Sequence, residues 1–371
     1  APDGASFASG SADRSVIIWD LSDGAFINRI TGLGGIIYTV AYTPDGSLWV
    51  GSDEFITLER LVSLGDGKYG NHTTFHLKDF ITLADTDSEI DIEGLAYDDG
   101  YLWVTGSHSL KRNKPKGKKQ HKDIKRLSEI EKDANRYLLA RLPVLNGELM
   151  QICAASDGGP TLSAACLAHA DGKNQLMDAL KEDDHLGPFL KMGLPSKDNG
   201  FDIEGIAVKG HNVFLGLRGP VLRGWAIILE IELEDTAPGT LSLKELENGT
   251  VYRKHFLDLN GQGIRELCLC GDDLIVLAGP TMDLEGAMQV FHFKNALEHS
   301  SDTLWDQESG NLEVLFDLPF TIGSDHAEGL TLFPYFGRDN NLMVVYDSPS
   351  CDRFLSDSSV FADIFLLPVQ S

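Results

Sequence analysis

The chain has little that would tie it to a thiolate metal centre, a membrane or a nucleic acid. Its 371 residues include five cysteines, Cys153, Cys166, Cys268, Cys270 and Cys351. None forms a CxxC pair, and the odd number leaves at least one thiol without an internal partner. Cys268 and Cys270 alternate along one expected strand, so they point the same way, into the core as small apolar residues. No apolar run approaches the roughly 18 residues of a membrane span, so no membrane partner is expected. No signal-peptide pattern opens the sequence, and the expectation is a cytoplasmic protein. A GxSxG nucleophile motif is also missing. Positive charge is scarce: 31 Lys and Arg stand against 56 Asp and Glu, for a net charge of −25. Such a body repels phosphates, which makes nucleic acid an unexpected partner. Divalent cations or a basic partner suit it better, and acidity that merely keeps the protein soluble is the plainer reading.

What is abundant is glycine, 38 residues of it, much of it in Asp-Gly, Gly-Asp or Asn-Gly pairs. Such pairs punctuate hairpins. Five segments then align with one another. They begin at Tyr38 (YTVAYTPDG, then LWVG from Leu48), Ile92 (IEGLAYDDG, then LWVT from Leu102), Ile203 (IEGIAVKG, then VFLG from Val213), Arg265 (RELCLCG, then LIVL from Leu274) and Ala327 (AEGLTL, then LMVV from Leu342). Each reads as an apolar strand, a tight turn and a second apolar strand. Thr39 to Glu93 is 54 residues, and Glu204 to Glu266 and Glu266 to Glu328 are 62 each. Only Glu93 to Glu204 is long, at 111, which leaves room for insertions inside one blade. A four-strand unit recurring at this period predicts an all-β chain folded as a single β-propeller over residues 1–371. Six blades are expected, with seven open if the long segment hides another.

Residues 1–35 form a partial blade. The segment from Ala5 to Leu21 resembles the second and third strands of a WD40 repeat, down to Trp19-Asp20, with the first strand missing. The chain is therefore expected to begin inside a blade or to borrow a strand from its C-terminus. Two insertions interrupt the pattern. One, 111–136, opens with nine Lys or Arg residues in 111–126 and lacks the interleaved aromatics of a nucleic-acid site. It is either a solvated loop or a lid bringing Lys111 and Arg112 over the channel. The other, 155–195, contains a short helix around Leu176–Lys181, from its apolar spacing.

The first strand of each propeller blade lines the central channel. Period-2 alternation puts Glu93, Glu204, Glu266 and Glu328 on that side, with Asp91 and Asp202 two residues earlier in two blades and Thr39 in the place of a Glu in another. Carboxylates at one level repel one another unless neutralised. A hard cation with oxygen ligands would do it, Ca²⁺ best, and so would Arg218 or Arg265, or shared protons. A ladder of hydrogen bonds to neighbouring backbone is the plain structural alternative. The loops after each second strand should converge at the same mouth, offering Ser107, His108, Arg112, Arg218, Arg265, Thr281, Asp283, His326, Asp347 and Ser350 to a small anionic ligand.

The motifs DIEGLA from Asp91, GSHSL from Gly106, DIEGIA from Asp202 and LGLRGP from Leu215 resemble a bacterial domain-of-unknown-function family catalogued as 3616, over roughly residues 40–370. That family is similar to the phytase-like propellers and, more distantly, to gluconolactonase-type six-bladed enzymes. The resemblance implies divalent metal held by Glu93, Glu204, Glu266 and Glu328, and supplies no reaction. Two functions are therefore expected. The first is a binding module for a protein partner or small ligand. The second is a metal-dependent hydrolase of a phosphate ester or lactone, with Glu93, His108 and Arg218 as its candidate catalytic residues.

Overall fold

Hairpins follow directly from the apolar pairs and the turns between them. Ile92–Asp98 pairs antiparallel with Tyr101–Gly106, and the reversal passes through Gly100, whose φ of +82° lies where a side chain is unfavourable. The same unit recurs as Thr39–Tyr42 with Leu48–Gly51, Asp202–Lys209 with Asn212–Gly219, Gly263–Cys270 with Asp273–Gly279, and His326–Tyr335 with Arg338–Asp347. Further strands extend each hairpin outward.

The computed structural model describes residues 6–11, 15–20, 26–30, 39–52, 55–64, 69–86, 88–155, 159–170, 173–247, 249–282, 284–318, 326–335, 338–347, 350–356, 359–360 and 363–367, the first and last blades mostly as backbone. These residues form six blades. The sheets of blades 2 and 5 have four strands in simple order, and those of blades 1 and 6 have three. Around the axis, the innermost strands of blades 2 to 6 follow one another in chain order. Ser6–Ser11, the innermost described strand of blade 1, lies against both blade 2 and blade 6 and closes the circle. The C-terminal strand Asp363–Leu366 pairs within blade 6, on Arg338–Asp347, and is not lent to blade 1.

Apolar side chains fill the wedges between neighbouring blades. Trp49, Leu58, Ile92 and Val104 pack between blades 2 and 3; Ile206, Leu215, Trp103 and Leu139 between 3 and 4; Phe214, Leu267, Phe291 and Phe293 between 4 and 5. Cys268 and Cys270 pack against the wedge of blades 5 and 6. Blades 3 and 4 are also joined by backbone. At the rim Ala165–Leu167 of blade 3 runs parallel to Thr240–Leu243 of blade 4, and near the axis Ser107 accepts the Ile203 N–H at 2.8 Å.

Both insertions belong to blade 3. Lys111–Arg112 and Ile130–Glu131 make a short ribbon that carries helix α1 (Gln120–Leu127). Helices α2 (Gln175–Leu180) and α3 (Gly187–Met192) follow, and Leu176, Met177 and Leu180 of α2 are buried in the wedge of blades 3 and 4.

Candidate functional site: a carboxylate–arginine network on the axis

Hairpin pairing decides which inner-strand residues are equivalent. Leu95 pairs with Val104, Ile206 with Leu215 and Leu267 with Val276. Two places earlier stand Glu93, Glu204 and Arg265, each the extra residue of a β-bulge. Glu266 was expected in that ring; Arg265 holds the place instead, and Glu266 falls where blades 3 and 4 have Gly94 and Gly205. Glu328 keeps the ring register by the pairing of Leu330 with Val344. In blade 2 Val40 pairs with Val50, so Thr39 matches Gly94 and the ring position is residue 38, outside the described residues. Thr39 instead accepts the Leu95 N–H at 3.1 Å, the backbone ladder expected as the structural alternative.

The glycines have a steric cause. A Cβ on Gly205 would stand 2.8 Å from the Leu267 nitrogen of the next blade, and one on Gly94 would stand 2.6 Å from the Ile206 side chain. Adjacent inner strands approach too closely there for any side chain pointing between them.

Arginines supply the counter-charge. Arg218, buried at the end of its strand, forms an ion pair with Asp202 through Nη2 and stands 2.5 Å from Glu204 Oε1 through Nη1. Arg265 Nε stands 3.0 Å from Glu204 Oε2, so both oxygens of Glu204 are held, each by a different arginine. Arg136 holds Asp91 at 3.0 Å and donates to Ser109 Oγ at 2.9 Å. Ser109 in turn bonds Ser107 Oγ at 3.0 Å. Arg136 is the last residue of the basic insertion, past its lysine-rich run, and carries no repeat signature, so nothing in the sequence marks it.

Glu93 is the acid left over. Burial raises its carboxyl well above the ordinary range, and Asp91, Glu204 and Asp202 add to the rise, while Arg218 opposes it. Burial likewise lifts Asp202 to about 7 against the pull of Arg218, with Glu204 and Asp91 assisting. Burial also pushes Glu266 well up, although it accepts the Leu267 N–H at 2.9 Å. The network therefore offsets its charge by guanidinium pairing, while burial favours the protonated form of Glu93, Asp202 and Glu266.

Among the described members of the expected anion clamp, His108 and Arg112 are engaged elsewhere. His108 is buried, and its Nδ1 is 2.9 Å from the Gly106 carbonyl, an acceptor only. Its Nε2 is 2.7 Å from Asn174 Nδ2, a donor only, so the ring is the neutral Nδ1–H tautomer. Burial pushes its pKa down to about 4. Asn174 also donates to the Tyr137 carbonyl and caps α2 through Met177 N–H, so His108 fastens the helical insertion to blade 3. Arg112 pairs with Asp198 at 2.6 Å. Thr281 is half-buried, and the Ser350 carbonyl accepts the Arg353 N–H. Asp283 and the side chains of His326, Glu328 and Asp347 lie outside the described residues.

Among the described residues the donor set does not fit a resident Ca²⁺. Guanidinium groups already take an oxygen each of Asp91 and Asp202 and both of Glu204, where calcium needs six to eight oxygens. Among the described residues no three His, Cys, Asp or Glu side chains are grouped to hold a metal.

A search of the curated proteins finds no match. Solved structures similar to this chain include the WD40 repeats of RRP9 (12% identity, TM-score 0.47, covering 99% of this chain and 92% of that one). The structure of U3-55K is similar at 11% identity and TM-score 0.43, over 99% and 93% of the two chains. The β-propeller domain of Myceliophteria thermophila Cps50 (Swd1) is similar at 10% and 0.43, over 99% and 94%. A family model described as "Protein of unknown function (DUF3616)" matches residues 37–363. The six-bladed β-propeller described above therefore belongs to the DUF3616 family.

Proposed function

We propose that this propeller is a binding module that takes a cationic group in its axial channel beside Glu93. The observation that carries this reading is that Glu93 stands among Asp91, Asp202 and Glu204 with no arginine ion pair of its own among the described residues, while burial first and those acids second hold its carboxyl in the protonated direction. A positive charge entering there meets four acids and allows Glu93 to ionise. Because the neighbouring carboxylates are already ion-paired, an ammonium or guanidinium group making one or two contacts suits the site better than a metal that demands a full shell. Binding should therefore release a proton. Calorimetry with lysine- and arginine-bearing peptides, in two buffers of different ionisation enthalpy, tests this. The expected result is a buffer-dependent heat that disappears in Glu93→Gln. Peptide binding that is indifferent to that substitution would sink the proposal, and Ca²⁺ titrated in the same way tests the metal expectation.

A second reading, hydrolysis of an ester or lactone, draws on Asp202 alone, because an acid near 7 both gives and takes protons at neutral pH. Turnover of generic phosphoesters and lactones that is lost in Asp202→Asn would favour it.

A further inference from the structure

The arm at 111–132 is a folded element rather than a loose loop. Arg126 Nε donates to the Lys114 carbonyl at 2.6 Å, and Asp123 accepts the Lys116 N–H at 2.8 Å. Arg112 Nη1 donates to the Leu127 carbonyl at 2.5 Å. The stem is pinned to the body by Arg112 on Asp198 and by Lys111 on Glu89, at 2.6 and 3.0 Å.

Two properties coincide on this arm. Residues 111–126 hold nine basic residues against the single acid Asp123, a net +8 within a chain of net −25, so the rest of the molecule is more acidic still. Lys114, Lys116, Lys118, Lys119 and Lys122 form no ion pair among the described residues. In addition Ile124 and Leu127, three apart on one face of α1, are 64% and 47% exposed, and Ile130 beyond them is 46% exposed. Apolar residues at helical spacing ordinarily face the body. Here α1 buries none of its residues.

We propose that this arm docks an acidic, apolar-punctuated segment of a partner protein. The unpaired lysines call for negative charge, and Ile124, Leu127 and Ile130 call for hydrocarbon at the same place. A local segment supplies both without bringing an extended polyanionic surface against an acidic body. A bilayer or a nucleic acid would meet that repulsion. Helix α1 is also only about 12 Å long, with two apolar side chains on it, too little to hold a bilayer surface.

The test is fluorescence anisotropy of a labelled synthetic peptide, glutamates interrupted by leucines at helical spacing, titrated with the full chain. Binding should weaken about tenfold from low to physiological salt. It should fall about a hundredfold when Lys118, Lys119, Lys122 and Lys125 are all changed to Glu. Ile124→Ser with Leu127→Ser should weaken it about tenfold with the salt dependence kept. All six side chains are exposed, so an unchanged melting temperature separates lost binding from lost folding. Peptide binding unmoved by the charge reversals overturns the proposal. So does binding to phosphatidylserine vesicles or to a single-stranded oligonucleotide with the peptide left unbound.

Discussion

Arg265 Nε stands 3.0 Å from Oε2 of Glu204, across the junction of blades 4 and 5. These two residues occupy equivalent ring positions, so the axial site is a circle in which at least one acid has been exchanged for its counter-ion. That exchange makes the electrostatics of the channel internally solvable, and it exposes them to test by substitution.

Arg218→Met should cost about 3–5 kcal/mol, because it leaves Asp202 and Glu204 buried without their principal partner. Denaturant midpoints would show the loss. Adding Asp202→Asn and Glu204→Gln to the same variant should restore part of it, since the uncompensated charges are then gone.

The acids set a pH dependence of known sign. Glu93 and Asp202 are raised in the folded chain, so the native state holds more protons than the unfolded one above the ordinary carboxyl range. Their contribution to stability is present at low pH and is lost as pH climbs, for Asp202 between about 4 and 7. Glu93→Gln cannot ionise, so its stability relative to the parent should grow with pH. The limit is about 1.4 kcal/mol per pH unit inside the window. Unfolding at pH 5, 7 and 8.5 measures the divergence (roughly spanning the window).

His108 acts in the opposite direction. With its pKa pushed down to about 4 against an ordinary 6.5, the unfolded chain takes up the proton first as pH falls between those values. The parent should lose stability there on acidification, and His108→Gln should flatten that slope.

Asn174→Ala should cost about 2–4 kcal/mol, the sum of a lost helix cap and unpaired groups on His108 and Tyr137. Helical content measured before the main transition would show whether α2 frays first.

Gly205→Ala should destabilise by about 1–3 kcal/mol, since the atoms facing its Cβ are the backbone of Leu267 and Glu266 and cannot step aside. Glu266→Gly, at the equivalent place in blade 5, should be far milder.

The architecture was legible because apolar pairs and Gly turns recur at one period, and each hairpin needs only its own residues to form. The register of the fifth blade was not. A bulge adds a residue just before the part of the strand that aligns, and Glu266 beside Arg265 offers an acid one place from where the ring lies. His108 misled for a different reason. Its position after the second strand places it at the mouth, but Asn174, distant in sequence, decides which way the ring turns and keeps it neutral. Arg136 reaches Asp91 only because the chain returns from the arm at that point.

The double seam between blades 3 and 4 has a mechanical consequence. One join lies at the rim, at Cys166 and Thr240, and the other near the axis, at Ser107 and Ile203. A load that pries this pair apart must break main-chain bonds at both ends of a lever, so the two blades travel as one piece. Asp91, Glu93, Arg136, Asp202, Glu204 and Arg218 all ride on that piece, so the acids and two of their arginines share one doubly fastened support.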